Sequence, residues 1–186
     1  MRVVTGKYKN RKLFLPPKKY RIRPTTAVVK KALIDIFREI IPGAKLLDLF
    51  SGTGGAGIEF LSNGAKFVTF IEASPHNAQL IKRNLDKLQI SEEYYRIINK
   101  DFKNALLFLS KIGEKFDFIF IDPPYFTNYI KESLLILSEL NLYNEDVIII
   151  SEQHNREKIE EKLGKFKIYD VRKYGTSVVR FWRIEI

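Results

Sequence analysis

The stretch Lys45–Asn63, KLLDLFSGTGGAGIEFLSN, limits the possible folds of this chain more than any other feature. An apolar run ends at Ser51, and four glycines follow before a helical pattern begins: Gly52, Gly54, Gly55 and Gly57. This order predicts a strand, a tight glycine turn and a helix. Three of the glycines have the spacing G-x-G-x-x-G, which lets backbone approach a ligand at a helix N-terminus. The same pattern occurs where a helix only packs on a sheet, so other segments must decide.

Strand and helix patterns alternate along most of the chain. The predicted strands are residues 46–50, 67–71, 95–98, 116–121, 147–151, 165–171 and 178–184. The predicted helices are residues 28–40, 55–62, 75–88, 102–111, 129–140 and 155–163. This alternation indicates an α/β fold with a doubly wound, mostly parallel seven-stranded sheet and an antiparallel C-terminal edge strand. Residues 1–41 are interpreted as a small N-terminal β-hairpin and helix extension, and residues 42–186 as the main domain.

Basic residues are concentrated at the start of the chain. Residues 1–31, the basic strip, contain eleven Lys or Arg and no Asp or Glu, whereas the remainder contains 21 basic and 22 acidic side chains. The net charge of +10 therefore comes from the basic strip. Such a segment is typical of nucleic-acid binding, although a solvated tail can have the same composition. Tyr8 and short apolar runs interleave with the charges, which predicts a hairpin turning at Gly6–Asn10.

Acidic residues stand at the ends of successive strands, where ligands of such sheets bind. Asp48 lies beside the glycine turn, and Glu72, followed by Ala73, ends the second strand. A carboxylate at the second position can accept both hydroxyls of a ribose, which fits NAD and S-adenosylmethionine equally. Asp101, after the third strand, could accept the amine of an adenine whose ring Phe102 would cover, but Asp101 also suits a helix N-cap.

The segment Asp122–Tyr125, DPPY, follows the fourth strand. Two prolines after a buried strand fix a rigid extended turn, so the Asp122 side chain and the Pro123 carbonyl can both accept from one amino group. Two acceptors on one NH2 group draw its lone pair out of conjugation with a base ring, and the nitrogen becomes a nucleophile. Tyr125 offers a flat face for an extruded base. The motif therefore predicts chemistry at the exocyclic amine of a nucleobase.

Together, the glycine turn and DPPY resemble the motifs of Rossmann-like, class I S-adenosylmethionine-dependent methyltransferases that modify exocyclic amines of nucleic-acid bases. The resemblance is closer still to the RsmD family, the bacterial 16S rRNA guanine-N2 methyltransferases, and it covers almost the whole chain. The family's segments appear in order: GKYKNRKL, RPTT, DLFSGTGGAGIE, DPPY and YGTSVVRFWR. DPPY is shared with methyltransferases of adenine N6 and cytosine N4, so the basic strip and RPTT, rather than DPPY, point to guanine.

This resemblance implies a Rossmann-like fold, S-adenosylmethionine as cofactor and small-subunit ribosomal RNA as partner. The implied cofactor contacts are Asp48, Phe50, Ser51, Gly52, Thr53, Gly54, Glu72, Ala73, Asp101 and Phe102. The implied catalytic group is Asp122, Pro123, Pro124 and Tyr125. The implied RNA contacts are Arg2, Lys7, Arg11, Lys12, Arg21, Arg23, Thr25 and Lys30. A side chain at Gly54 is expected to fill space that the cofactor occupies.

Two other classes of protein share part of this pattern. A nicotinamide-dependent oxidoreductase would share the glycine turn and Glu72 but gives no reason for DPPY, and a non-catalytic RNA-binding module would share only the basic strip. The chain has no cysteine, which removes disulfides, thiolate metal sites and cysteine nucleophiles and suits an intracellular protein. No signal-peptide pattern and no membrane-length apolar run is present. We therefore predict a cytoplasmic monomer without a metal site or membrane contact.

Overall fold

The computed structural model describes residues 1–17 and 25–185, and within them an eight-stranded sheet carries helices on both faces. The strands are β1 (Lys45–Asp48), β2 (Phe67–Ile71), β3 (Tyr95–Ile98), β4 (Phe116–Ile121), β5 (Tyr143–His154), β6 (Lys162–Leu163), β7 (Phe166–Tyr174) and β8 (Ser177–Ile184). The α-helices are α1 (Ala27–Phe37), α2 (Gly55–Ser62), α3 (Pro75–Lys87), α4 (Phe102–Lys111) and α5 (Tyr129–Glu139). A short 3-10 helix, Glu92–Tyr94, precedes β3.

The strands are ordered β3-β2-β1-β4-β5-β8-β7-β6 across the sheet. Strands β1 to β5 run parallel, and β8, β7 and β6 add an antiparallel edge. The middle strands are covered on both faces, which explains why β4 reads FDFIFI rather than alternating with polar residues. From β1 the chain adds β2 and β3 on one side, and it then adds β4 and β5 on the other side. The carboxyl ends of β1 and β4 therefore border a crevice. This arrangement confirms the predicted doubly wound α/β fold.

Two apolar cores lie on opposite faces of the sheet. One packs α1, α2 and α3 against it, and the other packs α4 and α5. Trp182 of β8 is fully buried in the second core, where its Nε1–H donates to Ser151 Oγ over 2.9 Å. In residues 1–17 and 25–185, no helix is both long enough and apolar enough to cross a membrane.

The helix predicted for residues 155–163 is wrong. Strand β5 continues to His154, which pairs with Ser177 of β8, and the following residues form a turn and loop. Leu163 belongs instead to the two-residue strand β6, the eighth strand of the sheet, where it pairs with Phe166. The apolar spacing of Ile159 and Leu163 looked helical, but Leu163 pairs at the sheet edge, and Ile159 lies in the preceding loop and packs against the second core.

The first residues form the predicted hairpin, although its two arms share a single antiparallel bridge between Arg2 and Lys12. Asn10 turns the chain with a positive φ of 68°, and its N–H donates to Val3 O over 2.9 Å. Val3 and Leu13 are buried in the same core as α1, α2 and α3. The hairpin is therefore packed directly onto the sheet domain, so the exposed charges of residues 2–12 have a fixed position on its surface.

Candidate active site

A cavity of about 660 Å³ lies at the carboxyl ends of β1, β2 and β4. Its wall contains most of the residues that the sequence predicted for the cofactor and for catalysis. These are Asp48, Phe50, Ser51, Gly52, Thr53, Glu72, Ala73, Asp101, Phe102, Asp122, Pro123, Pro124 and Tyr125. Thr25, which was predicted as an RNA contact, lines the same cavity. The volume is typical of small-molecule and cofactor sites.

The glycine turn between β1 and α2 is held by backbone hydrogen bonds. The Ser51 N–H donates to Ile71 O at the end of β2 over 2.9 Å, and the Gly54 N–H donates to Ser51 O over 2.7 Å. Gly52 and Gly54 have φ values of 54° and 77°, a region that residues with a side chain rarely adopt. The turn thus fixes where the chain leaves the sheet and where α2 begins.

The structure corrects the prediction for Gly54. A Cβ atom at this position would lie 3.2 Å from both Cγ atoms of Ile81 in α3, and Gly54 is not part of the cavity wall. A larger residue would therefore disturb the packing of α3 rather than fill the cofactor's space. Gly57 is packed more closely than Gly54, because a Cβ there would lie 2.3 Å from Phe70 Cε1 in β2. The last glycine of the motif lets α2 pack closely on the sheet.

Asp48 ends β1 and is only 1% exposed. The Gly57 N–H donates to Asp48 Oδ2 over 3.1 Å, which connects the strand to the first turn of α2. Burial raises the pKa of Asp48 to about 7; the bond from Gly57 opposes this rise, and the negative charge of Glu72 adds to it. A cationic ligand group in the cavity would favour the ionised form of this carboxyl.

Glu72 follows β2 and connects the glycine turn to the next helix. Its Oε2 accepts from the Gly52 N–H over 2.9 Å, and its Oε1 accepts from the Ser74 N–H over 2.8 Å. Asn77, in the first turn of α3, also lines the cavity, and its buried Oδ1 has no hydrogen-bond partner within the described part of the chain. A buried amide oxygen without a partner is unfavourable, and a ligand hydroxyl or amine would satisfy it. Asn77 stands five residues after Glu72 but was not predicted as a site residue from the sequence.

Three aromatic rings form one wall of the cavity. Phe50 and Tyr129 are parallel, with centroids 5.8 Å apart and planes 3° apart. The centroid of Phe102 lies 5.1 Å from each of these rings. Phe50 and Phe102 were predicted, whereas Tyr129 was missed, although an aromatic residue at the start of the helix after DPPY is a visible signal. The rings supply an apolar surface suited to a flat heterocycle.

Asp101 is the N-cap of α4, the alternative that the sequence left open. Its Oδ1 accepts from the N–H groups of Lys103 and Asn104, each over 3.1 Å. The side-chain hydrogen bond from Asn104 contributes most to lowering its pKa, so Asp101 is a carboxylate. Asp101 also lines the cavity next to Lys100 and Lys103. Capping and contact with a ligand are compatible, because a carboxylate accepts several hydrogen bonds.

The DPPY turn is held at both of its ends by threonine hydroxyls. Thr25 Oγ1 donates to Asp122 Oδ2 over 2.8 Å, so the structure places Thr25 against the catalytic candidate. Thr127 Oγ1 donates to Pro124 O over 2.8 Å. Since the two prolines also fix their own φ angles, the carboxylate of Asp122 has a defined position on the cavity wall.

The hydroxyl of Tyr125 is held by a buried polar pair. Tyr125 Oη lies 3.0 Å from Ser177 Oγ, and Ser177 Oγ donates to Glu152 Oε1 over 2.8 Å. A serine hydroxyl has one proton, so Tyr125 is the donor in the first bond. The ring of Tyr125 is thereby fixed at the cavity. Ser177 and Glu152 were not predicted from the sequence, because only the pairing of β5 with β8 brings them under the DPPY turn.

Apart from Thr25, which lines the cavity, the predicted RNA contacts fall into three groups. Arg2, Lys7, Arg11 and Lys12 are exposed on the hairpin, whereas Arg21 and Arg23 lie outside the described residues. Lys30 is corrected: it is 2% exposed, and its Nζ lies 3.3 Å from Glu59 Oε2. A buried, ion-paired lysine cannot reach an RNA phosphate, so its contribution is to the fold.

The chain is similar to known proteins over most of its length. Residues 1–183 match the model of a family described as conserved hypothetical protein 95. YlbH of Bacillus subtilis is 31% identical over 183 residues, which cover 98% of each chain. Ribosomal RNA small subunit methyltransferase D of Haemophilus influenzae is 33% identical over 154 residues, covering 82% of this chain and 78% of its own. The solved structure of HI0767, also from Haemophilus influenzae, has a TM-score of 0.80 at 28% identity and covers 99% of this chain and 98% of its own. The chain therefore belongs to the family of conserved hypothetical protein 95, which is the RsmD family of methyltransferases.

Proposed function

We propose that this chain transfers a methyl group from S-adenosylmethionine to the exocyclic N2 of a guanine in small-subunit ribosomal RNA, as a cytoplasmic enzyme. The observation that carries the proposal is that Asp122 and Tyr125 of DPPY share one cavity with the glycine turn, Glu72 and Asp101. One wall can hold a nucleoside cofactor while the other presents a carboxylate and an aromatic ring to a base. Relatives named small-subunit methyltransferase D support ribosomal RNA as the substrate.

The residues of the cavity fit this cofactor. Asn77 Oδ1 is buried and has no hydrogen-bond partner among the described residues. A hydroxyl of the ligand could donate to it. The Phe50, Phe102 and Tyr129 rings suit an adenine, and Asp48 suits a cationic amine or sulfonium group. When bound, the cofactor supplies a sulfonium-activated methyl group, so the protein has mainly to position the accepting nitrogen.

The DPPY turn performs that positioning. Thr25 fixes the Asp122 carboxylate, which still has acceptor capacity for an amino group. A guanine turned out of its RNA helix would lie on the Tyr125 ring, whose hydroxyl is held by Ser177. Asp122 and the Pro123 carbonyl would then accept from the amine and leave its lone pair directed at the methyl group. Most of the rate enhancement comes from this alignment.

Methylation of isolated ribosomal subunits tests the proposal. Small subunits that lack the modification are incubated with the protein and labelled S-adenosylmethionine, and the RNA is then digested to nucleosides. We expect the label in N2-methylguanosine. Label in N6-methyladenosine or N4-methylcytidine would support an amino-methyltransferase of another base, and no labelled nucleoside would contradict the proposal. Binding of NADH in place of S-adenosylmethionine would support an oxidoreductase.

Replacing Arg2, Lys7, Arg11 and Lys12 together by Ala should weaken RNA binding and its dependence on salt. Losing four phosphate contacts lowers the slope of log K against log salt by about 3. The matched control replaces Lys111, Lys115, Lys162 and Lys165, which are exposed and lie outside the hairpin. Filter binding from low to high salt measures both slopes. An equal decrease in the two variants would show that only the net charge matters, and not the hairpin.

The cofactor's affinity should depend on pH through Asp48. In the cofactor-free protein the pKa of this carboxyl is raised to about 7, so below that pH Asp48 is protonated. A bound cation favours the ionised form, so binding releases a proton and tightens as the pH rises from about 6 to 8. Calorimetry in buffers of different ionisation enthalpy measures the proton release. Asp48→Asn should abolish this proton release, because an amide has no proton to lose, and only proton exchange by the ligand itself would remain. A release that persists in this variant would contradict the assignment.

A further inference from the structure

Phe126, the residue after DPPY, combines exposure with a strained backbone. Its side chain is 68% exposed, and its φ is 59°, a left-handed conformation that is unfavourable for a bulky residue. Phe126 does not line the cavity, so its ring stands outside it at the rim beside Tyr125. Strain kept at a ligand site is often part of how that site works. An exposed apolar ring in such a conformation therefore needs a functional explanation.

A carboxylate clamp holds Phe126 in this conformation. Glu157 Oε1 accepts from the Phe126 N–H over 2.8 Å, and Glu157 Oε2 accepts from the His154 N–H over 2.7 Å. Gln153 Nε2 donates to Glu157 O over 3.0 Å, which ties the loop back to β5. The loop after β5, which the sequence pattern had suggested to be helical, thus positions the residue that follows DPPY.

The rings at the rim form a small aromatic surface. The Phe126 and His154 centroids are 5.2 Å apart with their planes 40° apart, and the Arg156 N–H donates to His154 Nδ1 over 3.2 Å. Arg156 and Lys158 are both exposed on the same loop. Aromatic rings next to cationic side chains are the combination with which proteins hold single-stranded RNA. We name Phe126 and His154 the rim platform.

The angle between the rings indicates which base the rim platform holds. The Tyr125 and Phe126 centroids are 6.2 Å apart, but their planes differ by 75°. Two bases in one continuous stack are parallel, so they cannot lie on both rings. One base on Tyr125 and its neighbour on Phe126 must be turned away from each other, which is the geometry of a flipped nucleotide.

We propose that the rim platform stacks the RNA base next to the guanine that is methylated. This inference rests on the proposed function and adds a substrate contact outside the cavity. The base stacks on the Phe126 ring, and His154 packs against that ring. Arg156 and Lys158 lie close to the backbone of the same nucleotide. Stacking does not read the base's hydrogen-bonding edge, so the contact holds the strand without demanding one sequence.

Steady-state methylation of unmodified small ribosomal subunits by Phe126 variants tests the proposal. Phe126→Ala should raise the KM for subunits about tenfold, the typical effect of losing one base–aromatic stack. Turnover at saturating subunits and the Kd of S-adenosylmethionine should stay within about twofold, because Phe126 is outside the cavity. Phe126→Tyr, which keeps the flat ring, should restore the KM, and Phe126→Leu, which is apolar but not aromatic, should not.

The matched control is Tyr94→Ala, which removes another exposed aromatic residue, next to the amino end of β3. It should leave all three constants unchanged. An unchanged KM in Phe126→Ala, or full function in Phe126→Leu, would overturn the stacking platform. So would a lower turnover with an unchanged KM, since Phe126 would then only support Tyr125. Failure of the proposed function is distinguishable, because wild-type protein would then give no N2-methylguanosine.

Discussion

Asp122→Ala should lower turnover by on the order of a hundredfold or more, as expected when a polarising group in a closed site is lost. Cofactor affinity should hardly change, because Asp122 lies on the DPPY side of the cavity, where it accepts a hydrogen bond from Thr25. RNA affinity should also remain, since we propose that the exposed charges of the hairpin supply most of it. Single-turnover methylation of small subunits, together with calorimetry of cofactor binding, separates these effects. The control is Asp146→Ala, which removes an exposed carboxylate near the amino end of β5.

Asp122→Asn distinguishes the two roles that the carboxylate could have. Asn keeps one acceptor oxygen near the original position but cannot take up a proton. If Asp122 orients the amine, the Asn variant should retain a substantial part of the activity, and if it is a general base, Asn should be as slow as Ala. We expect orientation, because the Thr25 hydroxyl fixes the carboxylate in one position. Wild-type turnover in Asp122→Ala would contradict the assignment of DPPY as the catalytic site.

The elements around the glycine turn could be predicted because local signals agree there. Gly55–Ser62, Phe67–Ile71, Tyr95–Ile98 and Phe116–Ile121 have the same bounds in sequence and structure. Each lies close to a glycine, a proline or a capping residue, and its length and apolar content match its type. Residues 155–163 begin with Asn155 and are followed by Gly164, so the same local signals favoured a helix there. Pairing between distant strands decided the conformation there, and no local pattern contains that pairing.

The cavity was predicted at the level of strand ends, but its supporting contacts were not. Parallel strands bring their carboxyl ends to one edge, so Asp48, Glu72 and Asp122 could be assigned together. Thr25, Ser177 and Glu152 approach DPPY only through α1 and the antiparallel edge, so nothing near them in sequence points to Asp122 or Tyr125. The role of Gly54 was misjudged for a similar reason, because its neighbour Ile81 comes from the next helix.

The misassigned lysine leads to a prediction about stability. Glu59 in α2 is 1% exposed and accepts from the N–H groups of Val4 and Thr5 and from the Thr5 hydroxyl. Lys30 Nζ provides the neighbouring positive charge for that carboxylate, 3.3 Å from Oε2, and also donates to Arg2 O over 3.4 Å. The pair thus fastens the hairpin to the helix that follows the glycine turn. Without Lys30, Glu59 would remain a buried carboxylate without this cation.

Lys30→Ala should therefore lower the free energy of unfolding by about 3–5 kcal/mol, the usual result of removing one partner of a buried ion pair. Urea unfolding measures the change, and Lys31→Ala, which removes an exposed neighbour paired with Asp35, should alter stability by about 1 kcal/mol or less. Replacing both partners, Lys30→Met with Glu59→Gln, should recover much of the loss, because no buried charge is left alone. The salt slope of RNA binding should be unchanged in the folded single variant, since Lys30 is buried. A lower slope with undiminished stability would instead restore Lys30 as an RNA contact.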